Sequence, residues 1–543
     1  MQETDVLIVG AGPTGLTLAL ELSLQNIPFR LVTKDAVPSD KSRALVVHPR
    51  TQELLNRYGR DMVSQLLHRS TPVRGIRFHV DQKVVNDVQL DDLGFDDTMF
   101  PIPIFVSQVH TEALLEEKLT SYGGSVERAS TVDKMEQDES GVTVTLTKAD
   151  GASNTTAQEV VRCKYVVGCD GAHSVVRRSA QLHLTGTTYP QAFVLCDAKL
   201  DGNYATDRGN LYLAKRMMIV FPLGDGIVRI MGERAADDTN TNEPDLAEFQ
   251  RYIDEMLPGG NNKLSNPVWL AQFRFHCRSI DKYRQGRLFV AGDAAHIHSP
   301  AGGQGMNTGI QDAINLGWKL GKVLRREEDD VFLDTYNEER HPVGQHLLKG
   351  TDSIFSFATR SQNSLWLWVR NALLPYVAPL MTRSRERRTQ TFRWISELGI
   401  KYRRSSLVGT SPGFDGPVKG GWRAPDGKME DPDGSTAWLL ETCSPRSHTV
   451  ILFSGLGEAC TDEDELEKIF NKFKASKKFG SVGMVRIRDP SADGKVGYAD
   501  VDSQLHQRYG MKAGGGFVVV RPDLYIEYIG SLDSADSFLT PIE

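Results

Sequence analysis

Residues 5–9, Asp5-Val6-Leu7-Ile8-Val9, are apolar without a break from Val6 on and predict a strand buried on both faces. An almost wholly apolar stretch at 16–24 predicts a buried helix, and Pro28-Phe29-Arg30-Leu31-Val32 predicts the next strand. Residues 111–119 predict a helix with Glu112, Glu116 and Glu117 on its polar side, 141–146 alternate with period two, and 165–168 give another apolar strand. From about Ala192 to Arg278 the rhythm changes to short apolar strands at 192–195, 218–221 and 227–230, separated by turns such as Gly224-Asp225-Gly226. That change predicts a separate sheet inserted into the first unit. Residues 312–326 predict a helix, ending in the charged and solvated run Arg325-Arg326-Glu327-Glu328-Asp329-Asp330. Glycine and proline cluster between 400 and 435, as in Pro412-Gly413, Gly416-Pro417 and Pro432-Asp433-Gly434, and mark a boundary. A fresh α/β pattern follows: strand 448–453, helix 463–473, strand 482–487 and hairpin 516–528. The expected division is a discontinuous dinucleotide-binding domain at 1–185 and 280–400, an inserted mixed β-sheet domain at 186–279, a linker at 401–435 and a compact C-terminal domain at 436–543.

Three glycine-bearing loops interrupt this pattern in fixed order. The first, Gly10-Ala11-Gly12-Pro13-Thr14-Gly15, lies between the first strand and the first helix. Gly10 permits the tight turn, Gly12 lets the backbone approach a pyrophosphate, and Gly15 lets helix and strand pack closely. The helix N-terminus offers unpaired N–H groups and a positive dipole end. An acidic residue ordinarily follows about 20 residues on, to hold the adenosine ribose. Here Thr33 ends the second strand and Asp35 comes after Lys34, so either Thr33 takes that contact or Asp35 does through a shifted turn. The second loop, Asp170-Gly171-Ala172-His173-Ser174-Val175-Val176-Arg177, follows strand 165–168. Its Asp170 and Arg177 either tie the loop down or face a phosphate or a reduced nicotinamide. The third, Leu288-Phe289-Val290-Ala291-Gly292-Asp293, offers a carboxylate to a ribityl or ribose hydroxyl. It runs on into His298-Ser299-Pro300-Ala301-Gly302-Gly303-Gln304-Gly305-Met306-Asn307-Thr308-Gly309, whose backbone N–H groups suit the pyrimidine edge of a flavin. Together the loops predict a grip on both ends of one long dinucleotide, FAD.

Composition narrows the remaining classes. With 543 residues, 40% apolar and 24% charged, the chain has the make-up of a globular protein of two or three domains. A net charge of −7 argues against a general nucleic-acid or anionic-membrane binder. No apolar run reaches the ~18 residues of a membrane span. The chain enters its first strand by about residue 5, which leaves no room for a signal peptide; a cytoplasmic protein with six reduced cysteines and no Cys-x-x-Cys pair is expected.

The three loops in this order over residues 3–350, with Gly421-Trp422-Arg423-Ala424-Pro425-Asp426-Gly427 and Arg508-Tyr509-Gly510 further on, resemble the single-component FAD-dependent aromatic hydroxylases. The resemblance implies an α/β protein with a Rossmann-like FAD-binding domain, an inserted substrate sheet and the redox-dead thioredoxin-like C-terminal domain of the phenol hydroxylase branch. It gives Gly10, Gly12 and Gly15, with Pro13 and Thr14 between them, the FAD pyrophosphate, and Arg43 and Gln108 further FAD contacts; Thr33 and Lys34 remain candidates for the adenosine end beside Asp35. Asp170, Gly171 and Arg177 fall to the loop linked to FAD and NADPH. Gly292 and Asp293 fall to the ribityl chain, and Pro300, Gly303, Gly305, Met306 and Asn307 to the loop beside the isoalloxazine. It implies that NADPH or NADH reduces FAD, that O2 then gives a C4a-hydroperoxide, and that a small-molecule phenolic or other aromatic substrate is hydroxylated. No second Gly-x-Gly-x-x-G follows a strand, so the nicotinamide cofactor is expected as a transient visitor; a homodimer is plausible from the family. Phenol hydroxylases carry an acid shortly after the Arg43 region, but Ala44-Leu45-Val46-Val47-His48-Pro49-Arg50 has no carboxylate. His48 is the candidate substitute; Tyr212 and Arg216 are expected to share one face of a strand at period two, either reaching a substrate pocket as catalytic candidates or serving as sheet-surface residues; and His296 and His298 are expected to serve packing or hydrogen bonding. Alternatives are a Baeyer–Villiger-type oxidation of a polyketide-like ketone and a non-catalytic flavin-binding interaction protein. Trp366-Leu367-Trp368-Val369-Arg370, on an expected helix, lacks the Ile-Pro of a flavin halogenase.

Overall fold

The computed structural model describes residues 2–42, 44–150, 155–214, 216–234, 243–298, 302–359, 371, 373, 375–376, 384–457, 460–476, 478–479, 481–489, 496–511 and 513–540. Arg43, Pro300 and the helix expected around Trp366 lie outside them. Val6, Leu7 and Ile8 are fully buried, as the apolar run requires of a strand covered on both faces. Gln2–Val9 sits inside a sheet ordered 284–285, 288–290, 155–168, 2–9, 29–32, 126–127. The pairings from Leu288–Val290 across to Val126–Glu127 are parallel. Antiparallel strands Val142–Asp150 and Ser130–Gln137 extend the sheet from Thr155–Gly168. Helix Gly305–Leu324 is buried without a break from Asn307 to Lys322. Its close approach to helix Pro13–Leu24 depends on two glycines one turn apart. A Cβ on Gly317 would stand 2.4 Å from Glu21 Cβ, and one on Gly321 would stand 2.8 Å from Gln25 Cγ.

The second sheet runs in the order 296–297, 263–279, 185–201, 227–233, 217–224, 208–213, 75–80, 83–89. It therefore recruits Gly75–Val80 and Lys83–Gln89 from the segment expected to belong wholly to the dinucleotide domain. One face of this sheet is covered by helix Leu246–Met256, against which Val194, Cys196, Tyr212, Met218, Val220 and Ile230 pack. The opposite face is turned toward the glycine loops.

The C-terminal sheet pairs His448–Phe453 parallel with Val482–Arg488 and antiparallel with Gly516–Val520. The stretch 401–435, expected as a linker, is instead part of the packed body. Lys428–Glu430 is a strand of the C-terminal sheet, and Ala424, Asp426 and Met429 are buried. The two C-terminal motifs hold each other: the Tyr509 hydroxyl donates to Pro425 O at 2.7 Å, and Arg508 Nη1 donates to Asp426 O at 2.5 Å. One apolar core runs from Val6 through to Ile529, so the C-terminal domain shares its interior with the dinucleotide domain. Buried ion pairs reinforce that joint. Arg423 bridges Glu53 at 2.9 Å and also pairs with Asp97, and Arg521 pairs with Glu339 at 2.6 Å. All six cysteines are unpaired thiols. Among the described residues no helix is long and apolar enough to cross a membrane.

Candidate active site

The three loops meet around Thr14. A Cβ on Gly292 would stand 2.7 Å from Thr14 Oγ1, and one on Gly309 would stand 2.4 Å from it. Both glycines leave room for this side chain, which pins the first loop to the third. The turn at Gly10 (φ +105°) lies against the second loop, where a Cβ would meet Cys169 O at 2.4 Å, and Cys169 N donates to Val9 O at 2.8 Å. Gly15 is closed in the same way, with a Cβ position 1.9 Å from Gly10 O. Gly12 and Gly171 differ: at each, an added Cβ would meet nothing within 4 Å. The open side of the first two loops is therefore bare backbone.

Helix Pro13–Leu24 starts on that open side, with no side-chain cap and no acidic residue in its first turn. Helix Gly305–Leu324 likewise starts uncapped by a side chain and without an acidic residue. Two helix N-termini thus keep their unpaired N–H groups and positive dipole ends for an anion. Asp170 Oδ2 accepts Val175 N–H at 2.6 Å at the start of the short helix Val175–Ser179, which Ser174 caps by accepting Arg177 N–H at 3.0 Å. Asp170 Oδ1 is buried without a hydrogen-bond partner. Burial outweighs the bonds from Ser174 and Val175 and raises its pKa. Bare backbone, two free helix N-termini and a buried open carboxylate oxygen fit a dinucleotide that carries a pyrophosphate and hydroxyl groups.

The expected site residues divide into those that face this space and those that build it. Arg177 builds it, with Nη1 donating to Ala294 O at 3.1 Å and Nη2 to Ala172 O at 2.7 Å, so the second and third loops are tied together. Asn307 is fully buried. Its Nδ2 donates to Val46 O and to Gly303 O at 2.9 Å each, and its Oδ1 accepts His48 N–H at 2.8 Å. Met306 packs on the core. Gln108 spends its amide within the protein: Oε1 accepts Ala44 N–H at 3.0 Å and Nε2 donates to Glu112 at 2.8 Å. At the end of the second strand, Thr33 and Asp35 pair with each other at 3.3 Å; Thr33 is buried, while Lys34 and Asp35 are exposed. Asp293 is exposed on the turn after Gly292 (φ +60°). Gly302 and Gly303 both adopt left-handed backbone conformations, and a Cβ on Gly303 would stand 3.4 Å from Val46.

His48 is buried under this last loop and donates from Nε2 to Gly302 O at 2.7 Å. Burial lowers its pKa to about 4, only partly offset by that bond. The ring is therefore a neutral donor that supports the loop. Glu397, missed by the sequence reading, lies behind the same helix start. Thr308 Oγ1 donates to it at 2.7 Å and Gln311 Nε2 also donates to it. Burial raises its pKa to about 8, so near neutral pH it is held as the acid.

Tyr212 and Arg216 do not share a strand face. The strand Arg208–Leu213 ends before Arg216, and the chain reverses into Met217–Gly224. Tyr212 stacks on His79 at 4.3 Å, and Arg216 lies over Tyr252 at 5.4 Å, on the side of the sheet covered by Leu246–Met256. A cavity of about 230 Å³ on that side is lined by His79, Tyr212 and Glu255 and includes none of the glycine loops. The face turned toward the loops carries half-buried Leu211, Ile219, Phe221, Met231 and Phe273. Phe221 sits 5.7 Å from Phe105, which pairs with Val46 beside Gly303. On this wall Arg229 pairs with Asp197 at 2.6 Å, and its Nη1 is buried without a partner. The periodicity of the strands contained this wall, but choosing between the two faces required the position of the covering helix.

Residues 3–351 match the family described as FAD binding domain. The chain is 32% identical over 553 residues to 6-methylpretetramide 4-monooxygenase of Streptomyces rimosus, covering 96% of this chain and 90% of that protein. It is 29% identical to pentachlorophenol 4-monooxygenase of Sphingobium chlorophenolicum, covering 100% of this chain and 96% of that protein. Among solved structures, the OxyS anhydrotetracycline hydroxylase from Streptomyces rimosus aligns with a TM-score of 0.74 at 28% identity, covering 98% of this chain and 96% of that one.

Proposed function

The chain belongs to the FAD-dependent aromatic monooxygenases, and on that premise we propose that it hydroxylates an extended, fused-ring phenol with NADPH or NADH as electron donor. Bound FAD supplies the redox chemistry, reduction of O2 at the expense of the nicotinamide and insertion of one oxygen atom into the ring. The chain's own residues bind, orient and exclude water. The bare backbone at Gly12 and Gly171 and the N-terminus of Pro13–Leu24 receive the pyrophosphate, and Asp293 receives the ribityl hydroxyls. Gly302, Gly303 and the N-terminus of Gly305–Leu324 would hold the flavin ring, their N–H groups favouring the negative charge it gains on reduction. His48 and Asn307 hold that loop from behind.

The observation that carries the substrate class is the half-buried apolar wall. The strands from Arg208–Leu213 to Lys263–Ser279 number five and span about 19 Å at ~4.8 Å per strand, far more than one ring needs. Arg229 Nη1 offers a donor to a phenolic or enolic oxygen on that wall. The test is NADPH oxidation and O2 uptake by the FAD-loaded protein with monocyclic and fused-ring phenols, with product mass measured. Oxidation stimulated by a fused-ring phenol, giving a product heavier by one oxygen atom, is expected. Oxidation indifferent to every phenol would overturn the reading, and an ester formed from a ketone would replace it with a Baeyer–Villiger reaction.

A further inference from the structure

We infer that Asp312 is the positioning residue for the Gly292–Asp293 turn and that Arg340 extends this constraint to the C-terminal domain. The inference rests on the assignment of that turn to FAD. Asp312 lies on the helix Gly305–Leu324 and is fully buried. A carboxylate in such a place is tolerated only when paired and hydrogen-bonded, and Asp312 uses both oxygens. Oδ2 accepts Gly292 N–H at 3.0 Å and His296 Nε2–H at 2.8 Å; Oδ1 accepts Arg340 Nε–H at 2.7 Å. Gly292 and His296 bracket Asp293, so one carboxylate clamps both ends of the turn that carries it. Burial alone would raise the Asp312 pKa, but Arg340 and His296 outweigh it and hold the group below the ordinary carboxylate range.

Arg340 is itself held. Nη1 donates to the Tyr402 hydroxyl at 3.0 Å, and Nη2 donates to Thr308 O at 3.2 Å, back at the start of the Asp312 helix. The adjacent Glu339 accepts Arg521 at 2.6 and 2.9 Å, Lys319 at 2.8 Å and Ser405 at 2.7 Å. Two consecutive residues of the helix Asp334–Thr359 thus tie the C-terminal domain, through Arg521, to the turn that carries Asp293. The domain without a Cys-x-x-Cys pair acquires a role here as the fixed end of a buried charge relay.

The full-length protein is stripped of FAD and titrated with it, following flavin fluorescence and the visible spectrum, while the unfolding temperature of the apo form is measured separately. Asp312→Asn is compared with Glu248→Gln, which breaks an equally buried pair with Arg234 in the second sheet (2.6 Å). Asp312→Asn is expected to weaken FAD binding by about 10–100-fold, the loss of one or two charged hydrogen bonds, and to change the flavin spectrum. Glu248→Gln is expected to lower the apo unfolding temperature while leaving FAD affinity within about twofold. Wild-type affinity in Asp312→Asn, or an equal loss in Glu248→Gln, overturns the inference. If Asp312→Asn does not fold, Arg340→Lys, which keeps the charge but loses the contacts to Tyr402 and Thr308, serves instead: weaker FAD binding supports the inference and unchanged binding overturns it. A wild-type protein that takes up no FAD would sink the cofactor assignment as well, whereas wild-type binding with unaffected variants sinks this inference alone.

Discussion

Replacing Gly12 by alanine separates the fold from the cofactor site. Gly12 sits at φ −78° and ψ −174°, where any residue is at ease, and it is the N-cap of Pro13–Leu24. A methyl group there meets nothing within 4 Å. An alanine N-cap is worse than glycine by up to about 1 kcal/mol, and the stiffer unfolded chain returns about 0.4–1 kcal/mol. The two nearly cancel, so the apo unfolding temperature should move by no more than about 2 °C. FAD binding should suffer much more. The methyl group occupies the space through which the pyrophosphate reaches the helix N–H groups, and losing one or two charge-assisted bonds at about 1.5–3 kcal/mol each weakens binding by at least about tenfold. Gly15→Ala is the opposite case. Its Cβ would lie 1.9 Å from Gly10 O, so helix and strand must separate, at a cost of about 1–3 kcal/mol or more in the apoprotein. Apo stability is read by circular dichroism and FAD affinity by fluorescence titration. Wild-type FAD affinity in Gly12→Ala, or a loss of apo stability matching that of Gly15→Ala, would refute the reasoning.

Protonation of His48 should be visible in stability. Its folded pKa of about 4 lies below the ordinary 6.5, so its contribution is complete above pH 6.5 and is lost as the pH falls toward 4, by up to about 3 kcal/mol. His48→Gln should flatten the decline in urea-unfolding free energy between pH 7 and about pH 4.5; equal slopes in wild type and variant would contradict a neutral buried ring. Tyr212→Phe and Arg216→Ala should each leave kcat/KM for the hydroxylated substrate within about twofold, because both side chains lie on the far side of the second sheet. A tenfold or greater loss, on the order of 1.4 kcal/mol, would return them to the catalytic machinery. Arg423→Ala removes the cation shared by Glu53 and Asp97, but Arg50 still pairs with Glu53 and Arg393 with Asp97, so chemical unfolding should reveal a loss of about 1–3 kcal/mol; a loss below about 0.5 kcal/mol would show that this joint is not held by charge.

What could be read along the chain, and what could not, follows from the range of the forces involved. Strand, tight turn and helix start are fixed within ten residues by backbone sterics and apolar periodicity, so the first loop and the buried helix beyond the third were legible from glycine spacing alone. The convergence of the loops was not, because the space for Thr14 is left by Gly292 and Gly309, nearly 300 residues away, and no local pattern reports a void. The same holds for strand partners: Gly75–Val80 reads as a strand, but its place beside Arg208–Leu213 is set by the finished sheet. Proline and glycine between 400 and 435 correctly announced an end to long regular elements and wrongly suggested a loose tether, since they forbid helix but not burial. Arg423 in that stretch is buried because Glu53 and Asp97 lie opposite, and Asp426 because the backbone N–H groups of Gly427 and Leu440 meet its carboxylate; the ion pairing exists only in three dimensions. Period two failed for Tyr212 and Arg216 because it holds only while a strand lasts, and this one ends at Leu213. The polar residues that matter most to the third loop are Asp312 in a largely apolar helix, Arg340 in the charged first half of Asp334–Thr359 and Glu397 just past a helix end, the last two at positions where a solvated charge would also fit. Their burial makes them informative, and burial of a charge is legible only once its counter-charge has been placed beside it.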